Sequence, residues 1–212
     1  MKQVFIGILT VLVSGLCASQ PTAAADGAYV VKPVAEKKIK QLPAGPLYWR
    51  VENFPTLAQA QAAIPPDRWN PDTVSHDVAM SLAAEVAGNA WLFTLGPKGA
   101  STPGGTKVAE VGPAPIVKAS EYLLRVNHGY GPPEARTPVH THPGSEAFYV
   151  VAGRLGQKTT HGEDFVEAGK TMNGHHAGMV MQVFNAGTTD LTALIMFVVD
   201  ANKPFSSPAT FP

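Results

Sequence analysis

His140-Thr141-His142-Pro143-Gly144-Ser145-Glu146 places two imidazoles and a carboxylate within one short stretch. On a β-strand alternate side chains share a face, so a His-x-His pair puts both rings on the same side. Pro143-Gly144-Ser145 is turn chemistry. Glu146 then opens a second strand with its side chain directed back at the pair. Two neutral imidazoles and one carboxylate on adjacent strands make a three-ligand pocket for a divalent metal, with coordination positions left open. The plainer alternative is two surface histidines beside a turn and an exposed glutamate. The further order His-x-His, three residues, Glu146, six residues, Gly153 favours a site.

That order resembles the first motif of the cupin superfamily, whose members are small jelly-roll β-barrels. The resemblance spans about residues 118 to 200. It implies an all-β fold, a double-stranded β-helix, with His140, His142 and Glu146 binding a metal inside the barrel. The motif's leading glycine normally stands six residues before the first histidine; here that position is Glu134. The second motif departs further. Glu167-Ala168-Gly169 stands where Pro-x-Gly would fall, and strict counting puts Met172 in the histidine slot and His176 in the asparagine slot. A better register anchors on Asn185-Ala186-Gly187, and four residues before Asn185 sits Met181. On that register the intervening loop has grown by nine residues and carries Gly174-His175-His176-Ala177-Gly178. In either register a methionine replaces the family's histidine.

The N-terminus bounds the compartment. Lys2 precedes an apolar run over residues 4–13, and Ala23-Ala24-Ala25 offers a small-x-small cleavage site before Asp26, which together read as a secretory signal peptide. Ser14, Ser19 and Gln20 interrupt the run too early for a membrane span, which needs about 20 apolar residues. Lipidation at Cys17 is the alternative, although Leu16 is larger than such a site normally accepts. Removing 25 of the 212 residues leaves 187, a length consistent with one domain. Cys17 is the only cysteine, so the exported chain would have no disulfide and no thiolate ligand or nucleophile. Any metal must then be held by imidazole, carboxylate, amide or thioether. Zero formal charge without a basic patch argues against nucleic acid.

The elements that must position the site are short strands. Residues 26–45, with Lys32, Lys37, Lys38 and Lys40, read as a solvated extended arm, an edge strand over 28–31 being the alternative. Thr56 caps a short helix that Pro65-Pro66 stops. Residues 67–77 read as loop, with His76 an ordinary surface histidine. Residues 81–87 and 90–95 form a hairpin around Gly88-Asn89, because primed turns require positive φ. The hairpin most simply extends the barrel's sheets. Residues 96–105 are a Pro/Gly loop. Further strands are expected at 116–119, 121–126, 138–142, 146–151, 155–159, 179–184 and 191–199, which indicates a sandwich or barrel. The organisation is then a signal peptide (1–25), an arm (26–45), a helix and hairpin extension (46–115), the barrel (116–204) and a tail (205–212).

Six of the seven histidines fall between residues 128 and 176. His128 reads as turn or rim packing and His161 as exposed. His175 and His176, flanked by glycines, could fold over the barrel mouth and reach the metal or a substrate, or face solvent. Methionine in a strand is usually core filler; only its place before Asn185 marks Met181 as a candidate thioether ligand. Phe148, Val150, Phe184 and Phe197 are expected to line the barrel and exclude water.

The reading is a secreted or periplasmic cupin with one divalent transition metal, copper, iron, manganese, nickel or zinc being unresolved. Two histidines and a carboxylate resemble the facial triad that leaves room for substrate and O2. This implies a metal-dependent oxidoreductase, dioxygenase-like, or an isomerase or lyase acting on a small organic molecule. The alternatives are a non-catalytic periplasmic metal- or ligand-binding protein, or a metal-free sugar-binding cupin using His140 as acid or base. The expected partner is a small molecule, with no nucleic acid and no stable membrane anchor after cleavage; a homodimer stays open.

Overall fold

The computed structural model describes residues 27–65 and 80–212. The signal peptide, the Ala25 cleavage site, Cys17 and His76 lie outside the described residues. Among the described residues no helix is long and apolar enough to cross a membrane.

Three sheets stack in layers. The middle sheet holds β1 (Val30–Ile39), β6 (Tyr122–Gly131), β13 (Leu191–Asp200), β8 (Gly144–Ala152) and β11 (Thr171–Asn173), in that order. It faces a second five-stranded sheet of β10 (Gly162–Glu167), β9 (Arg154–Thr159), β12 (Met181–Asn185), β7 (His140–Thr141) and β14 (Ser207–Pro208). The third sheet holds β3 (Met80–Val86), β4 (Asn89–Gly96), β2 (Tyr48–Phe54) and β5 (Thr106–Val111), with α1 (Leu57–Ala62) between β2 and β3. The chain is all-β, and its first two sheets form a jelly roll.

Strand β13 explains the layering. Leu191, Ala193, Ile195, Phe197 and Val199 enter the core between the two jelly-roll sheets. Leu194, Met196 and Val198 enter a second core shared with Trp49, Val51, Trp91 and Phe93 of the third sheet. A near-continuous apolar strand is what burial on both faces demands. Trp91 meets Tyr149 edge-on across this interface, ring centroids 5.9 Å apart. The N-terminal hairpin therefore does not extend the barrel's sheets, as the sequence suggested. It belongs to a separate sheet packed face-on, because β4 buries Trp91 and Phe93 on one side and Leu92 against α1 on the other.

Other local expectations shift. The hairpin turn is Ala87-Gly88, one residue earlier than read, with φ of 52° and 73° and Val86 paired to Asn89. Within the arm the edge-strand alternative forms, and it runs further than read: β1 pairs with β6 from Val30↔Tyr130 to Ile39↔Tyr122, with one face left to solvent. Its lysines misled because an edge strand with one face to solvent carries charges there. Residues 116–119 form no strand, whereas β2, β5, β10, β11 and β14 had no expected counterpart. The Pro/Gly loop packs on the third sheet, where fully buried Glu52 accepts hydrogen bonds from the Thr102 backbone N–H and hydroxyl and from Arg50.

Thr56 caps α1 as expected, its hydroxyl oxygen accepting from the Gln59 N–H at 3.2 Å. Thr56→Ala should cost about 1 kcal/mol, a drop of about 2–4 °C in melting temperature. Thermal denaturation followed by circular dichroism checks this; an unchanged midpoint would show that packing alone holds the helix.

Candidate metal centre in the barrel

Strand β7 and the residue after it carry His140 and His142, while Glu146 stands near the start of β8. The two strands lie in opposite sheets, so the Pro143 turn crosses the barrel and the carboxylate faces the imidazoles across its interior. His142 Nε2 is 3.9 Å from Glu146 Oε2, and the two imidazole centroids are 4.8 Å apart. These groups line a cavity of about 460 Å³ with Tyr29, Asn127, Phe197 and Phe205.

Both rings are held through Nδ1. His140 Nδ1 lies 2.7 Å from the Pro138 carbonyl and His142 Nδ1 2.6 Å from the Phe205 carbonyl. A carbonyl only accepts, so each Nδ1 carries a proton, the arrangement that in a neutral ring leaves the Nε2 lone pair free for a metal. Burial drives the His142 pKa down to about 4, with the Phe205 carbonyl opposing and the charges of His140 and Arg125 adding to the fall. The ring is therefore neutral at pH 7. Aromatic contacts fix its plane, with Phe197 and Phe205 centroids each 4.9 Å away.

Glu146 is fully enclosed, and burial raises its pKa to about 8, against the lowering effect of its Gln157 hydrogen bond. The Gln157 amide donates to Glu146 and also lies 3.5 Å from the Met181 sulfur. Met181 is buried and paired in register with His140, but Gln157 stands between its thioether and the carboxylate. Gln157 gave no sequence signal; only the β9–β12 register brings it here.

The insertion has a different place. His175 is grouped with His161, His176 and Asp164 and does not line the cavity. Burial, opposed by Asp164, lowers the His175 pKa; His176 is exposed, with Nδ1 3.0 Å from the Ala177 carbonyl. What the loop does touch is the backbone of the site: Gly178 N–H donates to the His142 carbonyl, and Gly174 packs on Glu146.

Of the expected aromatic and aliphatic lining, Phe197 reaches the cavity. Phe148 and Val150 share the face of Glu146 but lie deeper in the same core. Phe184 does not enter the barrel. On β12 Met181, Val183 and Asn185 alternate inward, leaving Phe184 outside against Phe165, centroids 6.2 Å apart. The tail 205–212 is also more than a tail, since Pro208 pairs with His140 and Ser206 and Pro208 line the cavity. Glu134, at the motif's glycine position, adopts φ 67°, a left-handed conformation that glycine takes more readily.

Two facing antiparallel sheets, the His-x-His pair on one, the glutamate on the other, and Gly153 at φ 78° closing the β8–β9 turn decide the fold. It is a jelly-roll barrel of two facing antiparallel sheets. No protein-family model matches the chain, and no curated protein matches it. Among solved structures this chain is similar to DMSP lyases (24% identity, TM-score 0.35, covering 41% of this chain and 44% of theirs). It is also similar to oxalate oxidase in complex with glycolate (21%, TM-score 0.34, 40% and 45%). A third is a cupin-like protein from Thermotoga maritima (17%, TM-score 0.37, 42% and 65%). The chain thus spans less than half the length of the first two.

The donor chemistry suits a metal: two oriented imidazoles with open Nε2 atoms, and a buried carboxylate with no cation beside it. As the side chains stand, no group of three or more His, Cys, Asp or Glu among the described residues is gathered tightly enough to hold an ion. His142 and Glu146 are already near neighbours.

Proposed function

We propose that the cavity is the active site of an exported, metal-dependent cupin enzyme acting on a small organic molecule, with His140, His142 and Glu146 holding one divalent transition-metal ion. The observation that carries the reading is the pinning of both Nδ1 atoms to backbone carbonyls beside an uncompensated buried carboxylate. Metal-ligating histidines commonly have their other nitrogen committed in this way. A bound ion would supply Lewis acidity and a template for substrate. The chain's own residues do the rest. The Pro138 and Phe205 carbonyls orient the imidazoles. Gln157 holds one carboxylate oxygen. Ile195, Phe197 and Phe205 exclude water, which strengthens every charge interaction within. Oxidation, isomerisation or elimination at an enol, phenol or related carbon acid is the chemistry such a site suits.

One observation favours a second reading, a metal-free cupin. Without an ion Glu146 keeps its proton at pH 7 beside a neutral His142, an acid and a base within one dry pocket.

Metal analysis separates the two. Protein recovered from its native compartment, beginning at Asp26, should carry about one transition-metal ion per chain. A His140→Ala/His142→Ala variant should carry about a tenth of that or less while keeping its fold, because barrel packing holds a domain of this size. Equal metal content in the two would sink the metal reading. Oxygen consumption over a panel of phenols and enols then tests for turnover.

A further inference from the structure

Two polar atoms of the cavity have no use in the metal-holding scheme. The Tyr29 hydroxyl and the Asn127 side-chain oxygen are buried, both residues line the cavity, and neither atom has a hydrogen-bond partner. Buried polar atoms in folded proteins are almost always satisfied, so two unmet ones on residues that line one cavity point to a partner that enters it.

The seat of Tyr29 is built into the strand beneath it. A Cβ on Gly129 would come 2.8 Å from the Tyr29 hydroxyl oxygen, and one on Gly131 would come 3.3 Å from the Tyr29 Cα. Two glycines at alternate positions of β6 thus clear one face for the residue just before β1. Burial, with the Glu146 charge as a smaller cause, pushes the phenol well above its ordinary range, so it is a donor at neutral pH. The Asn127 oxygen only accepts. The other walls are largely apolar, among them Val183, Ile195, Phe197 and Phe205, and among the described residues no Lys or Arg lines the cavity. The lining therefore offers an anion no counter-charge.

We propose that Tyr29 and Asn127 are the recognition pair of this cavity, selecting an uncharged, compact molecule that presents a hydroxyl to Asn127 and an oxygen acceptor to Tyr29. This names a ligand class for the site described above and rests on that site being the binding cavity. It does not depend on the metal.

The test uses full-length exported protein treated with chelator, so that the metal reading and this one fail separately. Calorimetry at pH 7 measures binding of 3- and 4-hydroxyacetophenone, of acetophenone, which lacks the hydroxyl, and of 4-hydroxybenzoate, which is anionic. At least one hydroxyacetophenone should bind about tenfold more tightly than the other two probes. Tyr29→Phe and Asn127→Leu should each lower that affinity about tenfold. Tyr29→Phe should also melt at or above the wild-type temperature, because it removes an unmet hydroxyl; a purely structural hydroxyl would lower it. Failure of both hydroxyacetophenones to bind, tightest binding of 4-hydroxybenzoate, or unchanged affinity in Tyr29→Phe would each overturn the assignment. Intact selectivity in a protein that takes up no metal would leave it standing and remove the metal reading alone.

Discussion

Replacing Glu146 with glutamine should stabilise the metal-free protein at pH 8.5 and abolish metal binding at the same time. The carboxyl is enclosed with one hydrogen-bond donor and no cation, and its pKa stands near 8 against an ordinary 4.5. Between those values the folded protein holds a proton that the unfolded chain has released, so stability falls as pH rises through the window and is flat above it. His142 acts in the opposite sense. Its pKa is near 4 in the fold against 6.5, so it adds stability as pH rises from 4 to 6.5. The two offset one another up to about pH 6.5. From there to pH 8 Glu146 is the shifted group that acts among the described residues, and chelated wild-type protein should lose stability across that interval. Glu146→Gln has the same shape and no proton to lose, so it should not. At pH 8.5 the variant should gain on the order of 2 kcal/mol, about 4–8 °C in melting temperature. Wild type plus a saturating divalent ion should recover at least as much, because the ion takes the place of the proton. Melting curves from pH 5 to 9, with chelator and with metal, check all of this. A variant that melts below wild type at pH 8.5 would show that the carboxylate is compensated in a way the geometry does not reveal.

The largest loss of stability should come from a methyl group on the inserted loop. A Cβ at Gly174 would overlap the carbonyl oxygen of Glu146 and come 2.9 Å from its nitrogen. Both obstacles are backbone of a central strand, so neither can swing aside as a flexible side chain would. Gly174→Ala should therefore cost on the order of 4 kcal/mol, about 8–16 °C, and the displaced Glu146 should bind metal more weakly. Gly178→Ala is the comparison. Gly178 lies in the same loop with φ 77° and open space where its Cβ would stand, so it should lose only about 1–2 kcal/mol to the left-handed backbone. Equal melting temperatures for the two variants would mean that the loop does not seat on Glu146. The insertion is then a brace for the backbone of the site, through Gly174 on Glu146 and Gly178 on His142. That role needs small residues and backbone groups, and it explains why the two histidines between them attract attention in the sequence without entering the cavity.

What the sequence determined by itself was local and periodic. The spacing His140, His142, Glu146, Gly153 put two rings on one strand face and a carboxylate past a turn, because a strand repeats every two residues. Thr56 announced its helix through a capping hydroxyl, and the apolar run 191–199 announced a strand. Three things depended on the tertiary structure. Which sheet a strand joins is set by packing between faces: the hairpin of β3 and β4 satisfies any apolar face equally well in sequence, and only the core around Trp49, Trp91 and Met196 assigns it to a third layer. Which parity faces inward on β12 is set by register with β9, so that Met181 and Val183 turn in while Phe184, the larger hydrophobe, turns out. The partners of the site come from distant parts of the chain. Tyr29, Gln157 and the Phe205 carbonyl reach His142 and Glu146 from β1's lead-in, β9 and the tail. A backbone carbonyl has no sequence signature, and a tyrosine before an edge strand looks like any other until two glycines on the neighbouring strand make room for it.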